Sequence, residues 1–322
     1  PDISKAIDSY VNEQLSENSI PSVSLAVIQD GKVVYAKGYG YANLEHEVLA
    51  TPETVYQLAS VSKQFTAAGV MLLVEDGKID LDESIKTYLP DAPESWQNIT
   101  VRQILNHTAG LGDYGADFDY LQPKTEEEML NTIYQSELMF EPGSRFSYSN
   151  FGYNTLSTLI SKVSGKSFGD FMTERIFAPL DMSTTTVISE RDIVMNRAQG
   201  YQLETDKDNQ PSVKNQSWVN PSLNVFGDGA FYSTVLDMAK WDAALYSSNI
   251  LSEESKETLW TPLTLSNGDS WPIADAYGMG LSVGSVDGHA FVEHSGGWQG
   301  FATHFLRFVD DRLTVVVLAN LD

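Results

Sequence analysis

Between Gln57 and Gly77 the chain holds a lysine inside a segment that is apolar on nearly every side: Leu58, Ala59, Val61, Phe65, Ala67, Ala68, Val70, Met71, Leu72, Leu73 and Val74 leave little room for a wet face. A helix of that kind is buried, so it needs other layers packed around it, and the Asp76-Gly77 step supplies its stop. Lys63 in such a helix must find acceptors inside the protein. Ser60 stands three residues earlier, at or just before the first turn, so the hydroxyl and the ammonium share one face.

That pairing has a specific chemistry. A serine hydroxyl is a poor nucleophile until a base takes its proton, and a lysine gives up its own more readily when desolvated or set beside another cation. The start of a helix also presents free N–H groups to developing negative charge. Ser-x-x-Lys is common as a capping serine followed by a solvated lysine. The apolar surroundings of Lys63 set this instance apart.

Helical spacing over Ile3–Leu15 predicts a one-faced helix, and Val23–Gln29, the turn Asp30-Gly31 and Lys32–Tyr39 predict a hairpin. Gly38-Tyr39-Gly40 opens no helix and reads as strand rather than phosphate loop. Helices are expected over Ile99–Leu105 behind Thr100, Glu126–Gln135, Asn154–Ser164 with Gly165 as stop, Phe168–Ile176 and Ser233–Tyr246. Gly112–Lys124 and Tyr201–Asn224 read as loops. Four strands follow: Gly278–Val286, Ala290–Ser295, Gly300–Val309 and Leu313–Asn320. With β-structure at both ends and helices between, the expected class is α+β. One antiparallel sheet is built from both chain ends and flanked by helices, with a mostly helical lobe inserted. Residues 1–58 and 227–322 would form the sheet lobe and 59–226 the helical lobe, with the site between them.

Forty-four acids against twenty bases leave a net charge of -24. Nucleic acid and anionic membrane surfaces call for basic patches, so neither is an expected partner. No apolar run approaches the length of a membrane span. There is no cysteine, hence no disulfide and no thiolate metal site. His107 closes a helix, and with His46, His289, His294 and His304 it makes no metal-ligand spacing, so His107 reads as structural and no metal is expected. Pro1 begins on a polar helical segment; the reading leans to an exported protein, periplasmic or secreted with its leader trimmed, over a cytoplasmic one.

Three motifs in one order carry a resemblance: Ser60-Val61-Ser62-Lys63, then Tyr148-Ser149-Asn150, then His294-Ser295-Gly296. Around them stand Leu105–Leu111, Glu141-Pro142-Gly143, Phe151-Gly152-Tyr153 and Gly227–Trp241. The chain resembles the penicillin-recognising serine hydrolases, in the branch of class C β-lactamases, family VIII esterases, D-aminopeptidases and D-alanyl-D-alanine carboxypeptidases. The resemblance implies that Ser60 is acylated, Lys63 assists its deprotonation, and Tyr148 is general base for attack and general acid to the leaving group. It further implies that Asn150 bonds Lys63 and the substrate amide, that His294, Ser295 and Gly296 line the substrate, and that the N–H groups of Ser60 and Gly297 form the oxyanion hole. Glycines at 296 and 297 would leave room where the strand passes the substrate. A literal Tyr41-Ala42-Asn43 also occurs, but it precedes Ser60 and reads as strand.

The departure is His294, where β-lactamases and most carboxypeptidases carry lysine; a histidine is largely neutral at pH 7. That weakens a β-lactamase or carboxypeptidase reading and resembles the D-aminopeptidase and esterase-like members. Trp298 would wall the acyl pocket or pack as core. Family chains continue past the last strand into a helix on the sheet; here that face would be covered by residues beyond Asp322 or by a second subunit. The expected activity is hydrolysis, through an acyl-enzyme, of esters or of D-amino-acid amides and short peptides. The alternatives are a true β-lactamase or D-Ala-D-Ala carboxypeptidase and, from another class, a low-turnover penicillin-binding receptor or scaffold. No cofactor is called for, the partner is a small ester, β-lactam or short peptide, and the chain is a monomer or homo-oligomer.

Overall fold

The computed structural model describes residues 3–115, 118–217, 219, 226–268 and 275–322. Strands β1 (Ser22–Gln29), β2 (Lys32–Asn43) and β3 (Val48–Leu49) open the chain. Short strands β4 (Tyr56–Gln57), β5 (Thr186–Val187), β6 (Tyr201–Thr205), β7 (Pro211–Asn215) and β8 (Phe231–Ser233) lie in its middle. Strands β9 (Asp275–Tyr277), β10 (Ser282–Val286), β11 (His289–Trp298), β12 (Phe301–Phe308) and β13 (Leu313–Ala319) close it. The helices are α1 (Ile3–Glu17), α2 (Lys63–Glu75), α3 (Val101–Leu105), α4 (Glu126–Tyr134), α5 (Asn150–Ser164), α6 (Phe168–Met172), α7 (Val235–Ala244) and α8 (Glu253–Trp260).

Both chain ends meet in one eight-stranded antiparallel sheet, ordered β3-β2-β1-β13-β12-β11-β10-β9. The join is β1 against β13, in register from Val23–Ala319 to Gln29–Leu313. Period-2 alternation on β1 sends Val23 and Leu25 to the face that α1 covers with Ile7, Val11 and Leu15, and Ala26 and Ile28 to the main core on the other face. Helix α7 lies against β1, β2 and β13. Beyond it α5 is wrapped by α2, α3, α4 and α6. The α+β architecture expected from the sequence, an antiparallel sheet from both chain ends flanked by helices, is the one found.

Three local expectations are corrected. Helix α5 starts at Asn150, four residues before the apolar periodicity shows it, because Ser149 caps it: the Ser149 hydroxyl accepts the Gly152 N–H at 3.0 Å. The Tyr148-Ser149-Asn150 motif is thus a helix entrance. The polar stretch read as loop from Tyr201 contains the β6–β7 hairpin, turning through Asp206–Gln210; most of its side chains face water, so no apolar alternation marks it. Positions 218 and 220–224 of that stretch, and 116–117 of the Gly112–Lys124 stretch, lie outside the described residues. Gly278–Leu281 is a turn between β9 and β10 rather than the front of one strand.

One buried ion pair ties the helices to the sheet. Arg307 on β12, 1% exposed, bonds the carboxylate of the fully buried Asp242 on α7. The same oxygen accepts Thr314 Oγ1 from β13 at 2.6 Å, and the guanidinium lies 3.9 Å from the Tyr246 ring centroid. Burial pushes the Asp242 carboxyl up, against the pull of Arg307. Removing one member leaves an uncompensated buried charge. Arg307→Met is expected to lower stability by about 3–5 kcal/mol in urea unfolding at neutral pH, and a loss below about 1 kcal/mol would show that the pair does not pin α7.

Candidate active site

The turn that presents Ser60 is held from two sides. Leu58 donates its N–H to Phe231 O on β8 at 2.8 Å, and its carbonyl accepts Thr303 Oγ1 from β12 at 2.7 Å. Ala59 follows with φ +49°, a left-handed conformation costly to a residue with a Cβ. Residues Ala59–Ser62 form a tight 3-10 turn that runs straight into α2. Strand β11 must press against this turn: a Cβ on Gly296 would lie 2.3 Å from Thr303 Oγ1 and 2.5 Å from Leu58 O. Glycine at 296 is therefore demanded by the protein itself. A Cβ on Gly297 would meet no protein atom within 4 Å, so the protein itself does not demand glycine there.

Lys63 is completely buried. Its Nζ is 2.8 Å from Asn150 Oδ1, 3.0 Å from the Asp228 carbonyl oxygen and 3.1 Å from Ser60 Oγ. The first two can only accept, so two Nζ protons are committed and the third position faces the serine. Nζ also lies 4.8 Å from the ring centroid of Tyr148 and 5.5 Å from that of Tyr153, two faces that attract a cation.

Tyr148 is positioned by aromatic packing. Its ring lies 4.4 Å, centroid to centroid, from His107, which also packs on Tyr153 and Tyr277. His107 Nδ1 accepts the Ser149 N–H at 3.0 Å, which places the ring proton on Nε2 and ties His107 to the tyrosine motif. His294 is 6% exposed. Its Nδ1–H donates to Ser295 O at 2.5 Å, and Nε2 accepts the Tyr277 hydroxyl at 3.2 Å. Burial, reinforced by Lys63, lowers His294 to about 4 and holds His107 well below the ordinary histidine value. Both imidazoles are neutral at pH 7. Along β11 the exposed Ser295 and Gly297 alternate with the buried His294 and Gly296.

Two carboxylates that sequence reasoning missed complete the surroundings. Asp113 accepts Asn150 Nδ2 at 3.1 Å on each oxygen, and Asn150 N–H at 3.3 Å on one. The Asn150 amide N–H group that the resemblance assigns to the substrate donates to Asp113 in this structure. Asp228, whose carbonyl holds Lys63, is itself buried; its Oδ2 accepts the Tyr114 hydroxyl at 3.1 Å, and Asn154 Nδ2 donates to that hydroxyl at 2.7 Å. Burial raises the Asp228 carboxyl to about 6, with Lys63 opposing. A lone acid in the small-residue run Gly227–Ala230 was the only signal for Asp228, and Asp113 had none beyond following Leu111-Gly112. The nearby aromatic wall is Tyr114, Phe118, Tyr120, Phe151 and Phe226, with Tyr120 edge-on to Trp298 at 5.8 Å. Among the described residues no acid–histidine group is arranged to hold a metal, and no helix is long and apolar enough to cross a membrane.

A serine set against a buried lysine, with a tyrosine over that lysine, between an antiparallel sheet and a helical layer, defines a penicillin-recognising serine hydrolase. The chain belongs to the β-lactamase family, whose model matches residues 7–322. It is 31% identical over 321 residues to penicillin-binding protein 4* of Bacillus subtilis (strain 168), spanning 96% of this chain and 70% of that one. It is 27% identical to a D-aminopeptidase of Gluconobacter oxydans (strain 621H), across 93% of this chain and 56% of the relative, so that relative is much the longer. The crystal structure of the D-amino acid amidase of Ochrobactrum anthropi SV3 superposes with a TM-score of 0.85 at 26% identity, covering 100% of this chain and 92% of the amidase.

The neutral state of His294 has a consequence for stability. Its folded value lies below the unfolded one, so between about pH 6.5 and about 4 the unfolded chain binds more protons, and stability falls as pH drops through that window. Asp228, raised from its ordinary value, acts with the opposite sign below about pH 6. The comparison that isolates the histidine is therefore between variants. In urea unfolding, His294→Gln is expected to lose less stability than the parent between pH 7 and 4, by on the order of 3 kcal/mol; parallel curves would place His294 in contact with water.

Proposed function

We propose that Ser60 is the acylated nucleophile of a hydrolase for esters and for amides or short peptides of D-amino acids. The observation that carries this is the setting of Lys63 Nζ, with two positions held by pure acceptors and the third 3.1 Å from Ser60 Oγ. In the proposed reaction the Tyr148 oxygen, in the state of the Lys63–Tyr148 couple that lacks one proton, takes the Ser60 proton as Oγ attacks the carbonyl carbon. The Ser60 and Gly297 N–H groups take the oxyanion. Collapse breaks the ester or amide bond, and Tyr148 returns the proton to the departing alcohol or amine. Water then attacks the acyl-enzyme by the same route, releasing the acid and restoring the serine hydroxyl.

Charge argues for the substrate class. Neutral, buried His294 offers no cation to a substrate carboxylate, and Asp113 at the rim repels one. Substrates that are uncharged or carry an ammonium group fit this field better than those ending in a carboxylate. The aromatic wall from Tyr114 to Trp298 suits an apolar acyl group. A second reading, penicillin binding with slow release, is favoured by the similarity to penicillin-binding protein 4*.

Intact-protein mass spectrometry with a p-nitrophenyl ester, a D-amino-acid amide and a penicillin separates the two. The expected result is an adduct that forms and clears with the ester and amide and is absent in Ser60→Ala, with Tyr148→Phe slowing turnover by about 10²–10⁴-fold. A Ser60-dependent adduct that persists with penicillin alone selects the second reading. Undiminished turnover by folded Ser60→Ala sinks both.

A further inference from the structure

We propose that Asp113 is a positioning residue for this reaction, acting through the Asn150 amide to hold Lys63 against Ser60. The inference rests on the acyl-enzyme reading above. Asn150 touches a cation on one side and a carboxylate on the other: Oδ1 is 2.8 Å from Lys63 Nζ, and Nδ2 is 3.1 Å from each Asp113 oxygen. Both neighbours demand the same amide orientation, because the ammonium can only donate and the carboxylate can only accept. Without Asp113 the amide would have one fixed end, and turning it over would point N–H groups at the lysine.

Asp113 is itself held. Its Oδ1 accepts the Tyr114 N–H at 2.7 Å, and the Tyr114 side chain is anchored on Asp228, whose carbonyl is another acceptor for Lys63. The loop carrying Asp113 and the segment carrying Asp228 therefore converge on the same ammonium by two paths. Helix α5 contributes too: Asp113 Oδ2 lies at its first N–H, 3.3 Å from Asn150 N, where a negative charge is favoured. A group whose sole task was to close the helix entrance would affect stability. One that acts through Asn150 affects the chemical step, and its effect vanishes when Asn150 has no amide.

The test is a double-mutant cycle on a neutral p-nitrophenyl ester: Asp113→Asn, Asn150→Ala and the pair, with Asp113→Glu as the conservative variant and thermal melts to verify folding. Asp113 is solvent-exposed, and Asp113→Ala serves as a second variant should Asp113→Asn fold poorly. Asp113→Asn is expected to lower kcat about tenfold to a hundredfold with KM changed less than about threefold. Asp113→Glu should recover much of that loss, and Asp113→Asn should cost nothing further once Asn150 is alanine. Equal losses in both Asn150 backgrounds, or an unchanged kcat in Asp113→Asn, would overturn the assignment while leaving a Ser60-dependent hydrolase standing. Turnover that does not depend on Ser60 would overturn the functional reading and this one with it.

Discussion

The desolvated ammonium of Lys63 is the constraint to which the rest of the site answers. A charge with no access to water is costly unless each of its protons finds an acceptor. Here the acceptors come from separate elements: the turn before α2, the first residue of α5 and the segment before β8. Each lies far from the others in sequence, so the ammonium is satisfied only when all three are in place. The aromatic faces of Tyr148 and Tyr153 close the remaining sides. The same burial that makes the lysine expensive makes its contact with Ser60 specific, because no water competes for it.

The sheet supplies the rigid support. Ala59 sits in a backbone conformation that a free chain would leave, and it stays there because Leu58 is tied through its N–H to β8 and through its carbonyl to Thr303 on β12. Those ties require β11 to pass so close that position 296 tolerates no side chain. Strain at the nucleophile, glycine in the neighbouring strand and a hydroxyl from the next strand form one mechanical unit. It is built from the N- and C-terminal parts of the chain, joined where β1 pairs with β13.

Local patterns were legible in the sequence, and long-range pairings were not. An apolar helix interrupted by one lysine betrays burial directly, and β-structure at the two ends with helices between is enough to predict a single antiparallel sheet. The start of α5 was hidden because Asn150–Tyr153 has no clear apolar stripe, and only the Ser149 cap marks it. The β6–β7 hairpin was hidden because its alternating side chains are mostly solvated. Asp113 and Asp228 were hidden for a different reason. An aspartate in a loop gives no sign of its partner when that partner, Asn150, is 37 residues away or when its own backbone carbonyl, rather than its carboxylate, makes the functional contact.

The acidity of the chain bears on the site through sign rather than amount. A net charge of -24 spread over a surface is largely screened beyond about 8–10 Å at ordinary ionic strength. It cannot by itself select a substrate. On the proposed reading, selection rests with the short-range pattern: a lysine whose protons are engaged, two imidazoles that burial keeps neutral, a buried acid with its carboxyl raised to about 6, and a carboxylate on Asn150. On that reading, a substrate carboxylate entering this pattern would lose its hydration and meet no free cation among the described site residues, whereas a neutral ester or an ammonium group would lose less or find Asp113. A neutral His294 on β11 is therefore coherent with the acids of the site. On the proposed reading, a substrate without an ammonium group takes its binding energy from the aromatic wall and the backbone donors rather than from a salt bridge.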